Sequence, residues 1–135
     1  PASNNRFHLT LQKEEALNRG SVQSEQIGWF AIDQGQASDG DTLLQGGTTE
    51  RQYTHQSSTV EFEPGFDTAP SVIAKLGTLY GRDTATVRLD GIRSDRFGVR
   101  VQEEKSLDTE VNHTKESVSL LALEGTSGLL TGMSL

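Results

Sequence analysis

A chain of 135 residues has room for one ordinary domain core, with some length left for an appended fragment. The absence of cysteine excludes a disulfide framework, a Cys-based zinc site and a thiol nucleophile. A formal net charge of −7 argues against a nucleic-acid or anionic-membrane surface, since both require clustered Lys and Arg, and no apolar run approaches the roughly 20 residues that span a bilayer.

In chain order, the first feature is a segment that returns later. Residues 7–35, FHLTLQKEEALNRGSVQSEQIGWFAIDQG, read again at 97–125 as FGVRVQEEKSLDTEVNHTKESVSLLALEG. Phe7, Leu9, Leu11, Gln12, Glu14 and Leu17 meet Phe97, Val99, Val101, Gln102, Glu104 and Leu107 at an offset of 90 residues. After a one-residue insertion, Glu25, Ile27, Ala31, Ile32 and Asp33 meet Glu116, Val118, Ala122, Leu123 and Glu124 at an offset of 91. Residue class is kept at alternating positions, and the period is far above that of short solenoid repeats, so the pattern predicts small domains in tandem. Residues 1–35 are then the C-terminal part of a preceding repeat or additional strands, 36–125 a complete unit, and 126–135 (TSGLLTGMSL) a linker or closing strand. The competing reading is a single β-domain with internal pseudo-symmetry.

Helical propensity is confined to 13–19 (KEEALNR), and its counterpart EKSLDTE does not share it. Elsewhere alternation dominates. The predicted strands are 26–32 (QIGWFAI), the run around Val60 and Phe62, 72–76 (VIAKL), 84–89 (TATVRL), 97–101 and 117–123 (SVSLLAL). The first and last are apolar on both faces and read as central strands. Between these runs DQGQASDGD, LQGGTT, EPGFDTAP, YGRD and RSDRF supply turn residues, with a type II turn predicted at Pro64-Gly65 and a strand start at Pro70. Short strands without a long helix predict an all-β antiparallel β-sandwich. Phe62, Val72, Ala74, Val87, Val99, Val118 and Ala122 are the candidate core. Trp29, among Ile27, Phe30, Ala31 and Ile32, is also expected in the core.

Catalytic signatures are missing: there is no G-x-S-x-G elbow, P-loop or H-E-x-x-H, and His8, His55 and His113 are scattered. Glu103 and Glu104 cannot flank one glycosidic bond, because neighbours on a strand point to opposite faces. The expectation is a protein that is not an enzyme. Asp33, Asp39 and Asp41 lie on a Gly-rich acidic loop whose hard oxygens would suit calcium, although the EF-hand spacing is absent and a solvated acidic turn is the favoured reading. Tyr80, Arg82 and Asp83 share a strand-connecting loop. Sugar sites use this combination, with Tyr covering an apolar ring face and Arg and Asp bonding hydroxyls; an ordinary polar turn is the competing reading.

From Thr59 onward, TVEFEPGFDTAPSVIAKLGTL, TATVRLDGIRSDRFGVRV and ESVSLLALEG together resemble the H-type lectin domain. That family shows an apolar-x-Phe strand, a Phe-x-x-x-Pro turn, an Arg-bearing strand, a Gly-Phe strand and a closing apolar-x-Trp-x-Ala strand. Val60 and Phe62, Phe66 and Pro70, Val87 and Arg88, Phe97 and Val99, and Val118 and Ala122 occupy those places, and Trp29-Phe30-Ala31 keeps the Trp-x-Ala of the closing strand. The resemblance implies a six-stranded antiparallel sandwich that forms trimers and binds N-acetylgalactosamine or related sugars between subunits. The family's Trp-His pair falls near Glu104 and Lys105, and its sugar-binding Arg near Thr84. The ligand-binding set expected here is therefore Tyr80, Arg82, Asp83 and Glu104, with His113 from the following segment. The expected partner is a glycan or polysaccharide, and the expected setting is an extracellular or cell-surface bacterial protein. A structural or adhesive repeat that spaces a long surface protein without a sugar site is the alternative.

Overall fold

The structure is a computed structural model that describes residues 7–16 and 24–125. Those residues form seven strands and no helix. The strands are β1 (Gly35–Asp39), β2 (Thr42–Thr48), β3 (Ser58–Glu61), β4 (Ser71–Leu76), β5 (Ala85–Asp90), β6 (Arg96–Glu103) and β7 (Val118–Glu124). One sheet runs β1-β2-β7-β4 and the other β3-β6-β5, and every pairing is antiparallel. The all-β sandwich expected from the alternation is therefore the fold, and β7 is a central strand as its two apolar faces required.

The period-2 pattern decides which residues form the core. On β6, Phe97, Val99 and Val101 are at most 1% exposed, and Arg96 and Arg100 beside them are exposed. On β7, Val118 and Ala122 are fully buried and Leu120 packs against them. Cross-strand pairs keep one face together: Val60 opposite Phe97, Val87 opposite Val101, and Val72 opposite Ala122. Phe62 meets Phe66 edge-on at 4.9 Å and Phe97 at 5.3 Å. Val72, Ala74 and Val87 flank this cluster and are partly buried.

Several local expectations are corrected. The stretches read as turns at 35–48 form the β1–β2 hairpin, with Gly40 (φ 58°) at the first of its two turn positions, the residue that a II′ turn demands. The hairpin escapes the alternation test because β1 is exposed throughout and β2 carries Gly46 and Gly47. Gly46 is a matter of space: Ile32 Cγ1 would lie 3.0 Å from a Cβ there. At Pro64-Gly65 no type II turn forms, since Gly65 lacks the positive φ that such a turn needs, and the Glu63–Pro64 peptide is cis. Gly65 instead lets the backbone approach Ser94, whose carbonyl accepts the Phe66 N–H at 2.8 Å.

The N-terminal segment departs furthest from expectation. Neither 7–16 nor 26–32 forms a strand, and the described part of 13–19 is not helical. Trp29, expected in the core, is 68% exposed, and Phe7 is 49% exposed where its counterpart Phe97 is fully buried. Ala31 is likewise exposed, unlike Ala122. The sequence of a central strand is present here, but without flanking strands to pair with it. Residues 126–135 and their expected linker role lie outside the described residues.

Candidate functional site

The loop from Gly77 to Thr84 joins β4 to β5 and carries Tyr80, Arg82 and Asp83 on the surface. Such a loop needs its backbone polar groups satisfied, and one buried side chain does most of this. Glu116, fully buried just before β7, accepts the N–H groups of Tyr80 (2.6 Å) and Gly81 (2.8 Å) and the hydroxyl of Thr78 (2.5 Å). Its own backbone is fixed to Tyr53 by a reciprocal pair of hydrogen bonds. Burial by itself raises a carboxyl pKa, but the hydrogen bonds from Thr78, Gly81, Tyr80 and His113 outweigh it and hold Glu116 below the usual range.

Behind Glu116 stands His113. Its Nδ1 lies 2.6 Å from Glu103 Oε1 and its Nε2 3.3 Å from Glu116 Oε1. All three side chains are at most 4% exposed. A buried imidazole between two carboxyl side chains ties the end of β6, the 104–117 connection and the 77–84 loop into one unit. His113 was expected to touch a ligand. It is instead buried beneath the loop, with both ring nitrogens engaged by Glu103 and Glu116.

The exposed side of the loop is different. Tyr80 is 61% exposed, and the Arg51 guanidinium lies 4.3 Å from the centre of its ring. Arg82 and Asp83 follow, both exposed. Glu104 is brought next to them, because its N–H donates to the Thr84 carbonyl at 2.8 Å. Its carboxylate is already engaged, accepting the Glu15 N–H at 2.7 Å. The Ser106 hydroxyl, followed by that N–H, holds Glu104 below the usual carboxylate range. Ser106 also accepts the Ala16 N–H at 3.1 Å, and the Thr84 hydroxyl donates to the Lys13 carbonyl. The segment around 13–16 thus lies against the far end of the loop. Glu15 is raised, by burial first and then by the charges of Asp83, Glu104, Asp108 and Glu103. Beside it a shallow depression of about 350 Å³ is lined by residues including Thr84, Arg88, Gln102 and Glu104.

Arg51 and Glu116 were not among the expected site residues. Arg51 is 29 positions from Tyr80, beyond any local spacing rule. Glu116 had one visible signal, its place in the H-x-x-E run beside the strand whose two apolar faces mark it as central. Glu103 and Glu104 do diverge as strand neighbours should, one toward the buried imidazole and the other toward Glu15.

The calcium expectation does not assemble. Asp39 and Asp41 flank the β1–β2 turn, whereas Asp33 precedes the other end of β1, roughly 13 Å of strand away at about 3.3 Å per residue. Among the described residues no group of three or more His, Asp or Glu side chains could hold a metal ion. No helix among them is long and apolar enough to cross a membrane. No family model, curated protein or solved structure matches the chain.

Proposed function

We propose that this protein is a non-catalytic carbohydrate-binding module of a larger extracellular protein, related in design to the H-type lectin domain, and that it binds through the 77–84 loop. The observation that carries the reading is Tyr80, an exposed aromatic whose backbone is fixed from below by Glu116 and whose ring is flanked by Arg51. Sugar sites combine an aromatic face with a few polar groups on loops that a rigid scaffold positions, and preorganisation spares the binding free energy otherwise lost to ordering. Arg51, Arg82 and Asp83 are the polar groups in reach of such a ligand, with Glu104 at the margin. Single sites of this kind are weak, and repetition or trimer formation would strengthen them through effective concentration. The carboxylates at Asp83 and Glu104 favour neutral or amino sugars over sulfated or uronic ones.

The test is a titration of the protein with N-acetylgalactosamine, galactose and glucuronic acid, followed by amide chemical shifts. Shifts centred on 80–83 with either of the first two sugars are the expected outcome. No shift with any sugar, together with a blank glycan array, overturns the reading. A structural repeat without a sugar site would then stand, favoured by the duplication of 7–35 and its exposed apolar side chains.

A further inference from the structure

The two halves of the repeat have opposite environments. Phe97, Val99 and Val101 are 0%, 0% and 1% exposed, whereas Phe7, Leu9 and Leu11 are 49%, 50% and 47% exposed. Val118 and Ala122 are fully buried, whereas their counterparts Ile27 and Ala31 are 43% exposed and exposed. Trp29, Phe30 and Ile32 continue the apolar run at 68%, 66% and 40% exposure. An alternating apolar pattern is the mark of a strand that buries one face, and an apolar surface this extensive is a liability unless something covers it.

The sheet order says what is missing. β6 lies between β3 and β5, and β7 between β2 and β4. Residues 7–11 and 26–32 carry the sequences of β6 and β7, but they pair with no strand edge. Instead they cross the outer face of β2, β7 and β4 and enclose a groove of about 490 Å³ with Thr48, Ile73 and Leu121. Phe7 meets Trp29 at 5.2 Å with its ring tilted and Ile32 sits over Gly46, yet Phe7, Trp29 and Phe30 remain 49%, 68% and 66% exposed, so this cover is incomplete.

We propose that residues 7–11 and 26–32 form a docking element for a second copy of this unit's β1–β5 strand set, in which they take the places of β6 and β7 and complete a second sandwich. The fit is specific. Phe7, Leu9 and Leu11 would meet the equivalents of Val60, Leu89 and Val87. Ile27, Trp29 and Ala31 would meet those of Leu76, Ala74 and Val72, as β7 does in the complete unit. Main-chain pairing at open strand edges supplies affinity, and the alternating side chains set the register. The proposal is independent of sugar binding.

The test joins a second copy of residues 36–96 directly ahead of residue 7 in the full chain. Trp29 is the chain's only tryptophan and reports on docking. Its emission should shift to the blue, its quenching by iodide should fall severalfold, and the amides of 7–11 and 26–32 should gain protection from hydrogen exchange. Leu9→Asp with Ile27→Asp in the same extended chain should restore the quenching. Unchanged quenching and unprotected amides, with the 36–125 unit still folded, overturn the proposal. If the extended chain does not fold, the same two substitutions in the original chain decide. A docking element awaiting its partner leaves the melting temperature of 36–125 unchanged, whereas a drop of several degrees would mean that the segment is the permanent cover of its own sheet.

Discussion

The imidazole of His113 occupies the space where a side chain at Gly81 would begin: a Cβ there would stand 2.6 Å from Nε2. The loop can lie on the buried Glu103–His113–Glu116 cluster only because position 81 is bare. Gly81→Ala should therefore destabilise the protein by about 1–3 kcal/mol, the range for overpacking a filled interior, and should disturb the amide environments of Tyr80 and Gly81 first. Differential melting combined with amide shifts would check this. A variant as stable as the parent, with its loop shifts intact, would mean that His113 can move aside.

Removing the imidazole tests the other side of that contact. His113→Ala leaves Glu103 and Glu116 facing one another without the group between them, both at most 4% exposed. Removing the ring leaves buried carboxyl oxygens without their hydrogen-bond partner, which costs about 1–3 kcal/mol for an unsatisfied buried group. Chemical denaturation should record a fall of that order. A fall below about 1 kcal/mol would mean that water or neighbouring residues take over the role of the ring.

The acid side of the stability profile follows from the same cluster. Glu116, Glu124 and Glu104 are all held below the usual carboxylate range; at Glu124 the Thr68 hydroxyl is the largest cause. Among the described residues, Glu15 alone is raised. A depressed carboxyl contributes stability above its unfolded pKa, and that contribution disappears as pH falls through the folded value, while a raised one works in the opposite sense. With three groups against one, melting temperature should be level above the ordinary Glu value of 4.5 and decline below it. Glu116→Gln should lower stability at neutral pH and flatten the acid decline. An unchanged slope would remove Glu116 from this account.

The legibility of the chain follows the degree of burial. β6 and β7 could be read from residues alone, because Phe97, Val99 and Val101 alternate with polar neighbours and β7 is apolar on both faces. β1 and β2 could not, since an exposed edge strand and a strand opened by two glycines carry no alternation. Residues 26–32 were misread for the complementary reason: strand preference expresses packing against neighbours, and this segment has the preference without the neighbours. At the site, turn chemistry marked Tyr80, Arg82 and Asp83. The Arg51 contact and the stacking of three buried ionisable groups beneath the loop depend on chain crossings that no local pattern encodes.

Core truncation tests the assignment of β6. Phe97 is fully buried and packs against Phe62, so Phe97→Ala should cost about 3–5 kcal/mol through lost transfer energy and the cavity left behind. Phe7→Ala, at the equivalent repeat position but 49% exposed, should cost less than about 1 kcal/mol in the same chain. Equal losses would contradict the asymmetry between the two copies.

Binding and stability should separate at the 77–84 loop. The Tyr80 ring projects to solvent while its N–H is held by Glu116, so Tyr80→Ala removes the aromatic surface and leaves the backbone anchor in place. Sugar-induced shifts should disappear while the melting temperature stays close to that of the parent. Arg51→Ala removes a cation–π contact of about 0.5–1 kcal/mol at an exposed position, and should weaken sugar affinity severalfold by freeing the ring from its set orientation. Glu116→Gln should act differently, reducing binding and stability together, because it loosens the hydrogen bonds that fix the loop itself. If Tyr80→Ala binds N-acetylgalactosamine as the parent does, the loop is not the sugar site, and the ligand contacts must be sought elsewhere on the sandwich.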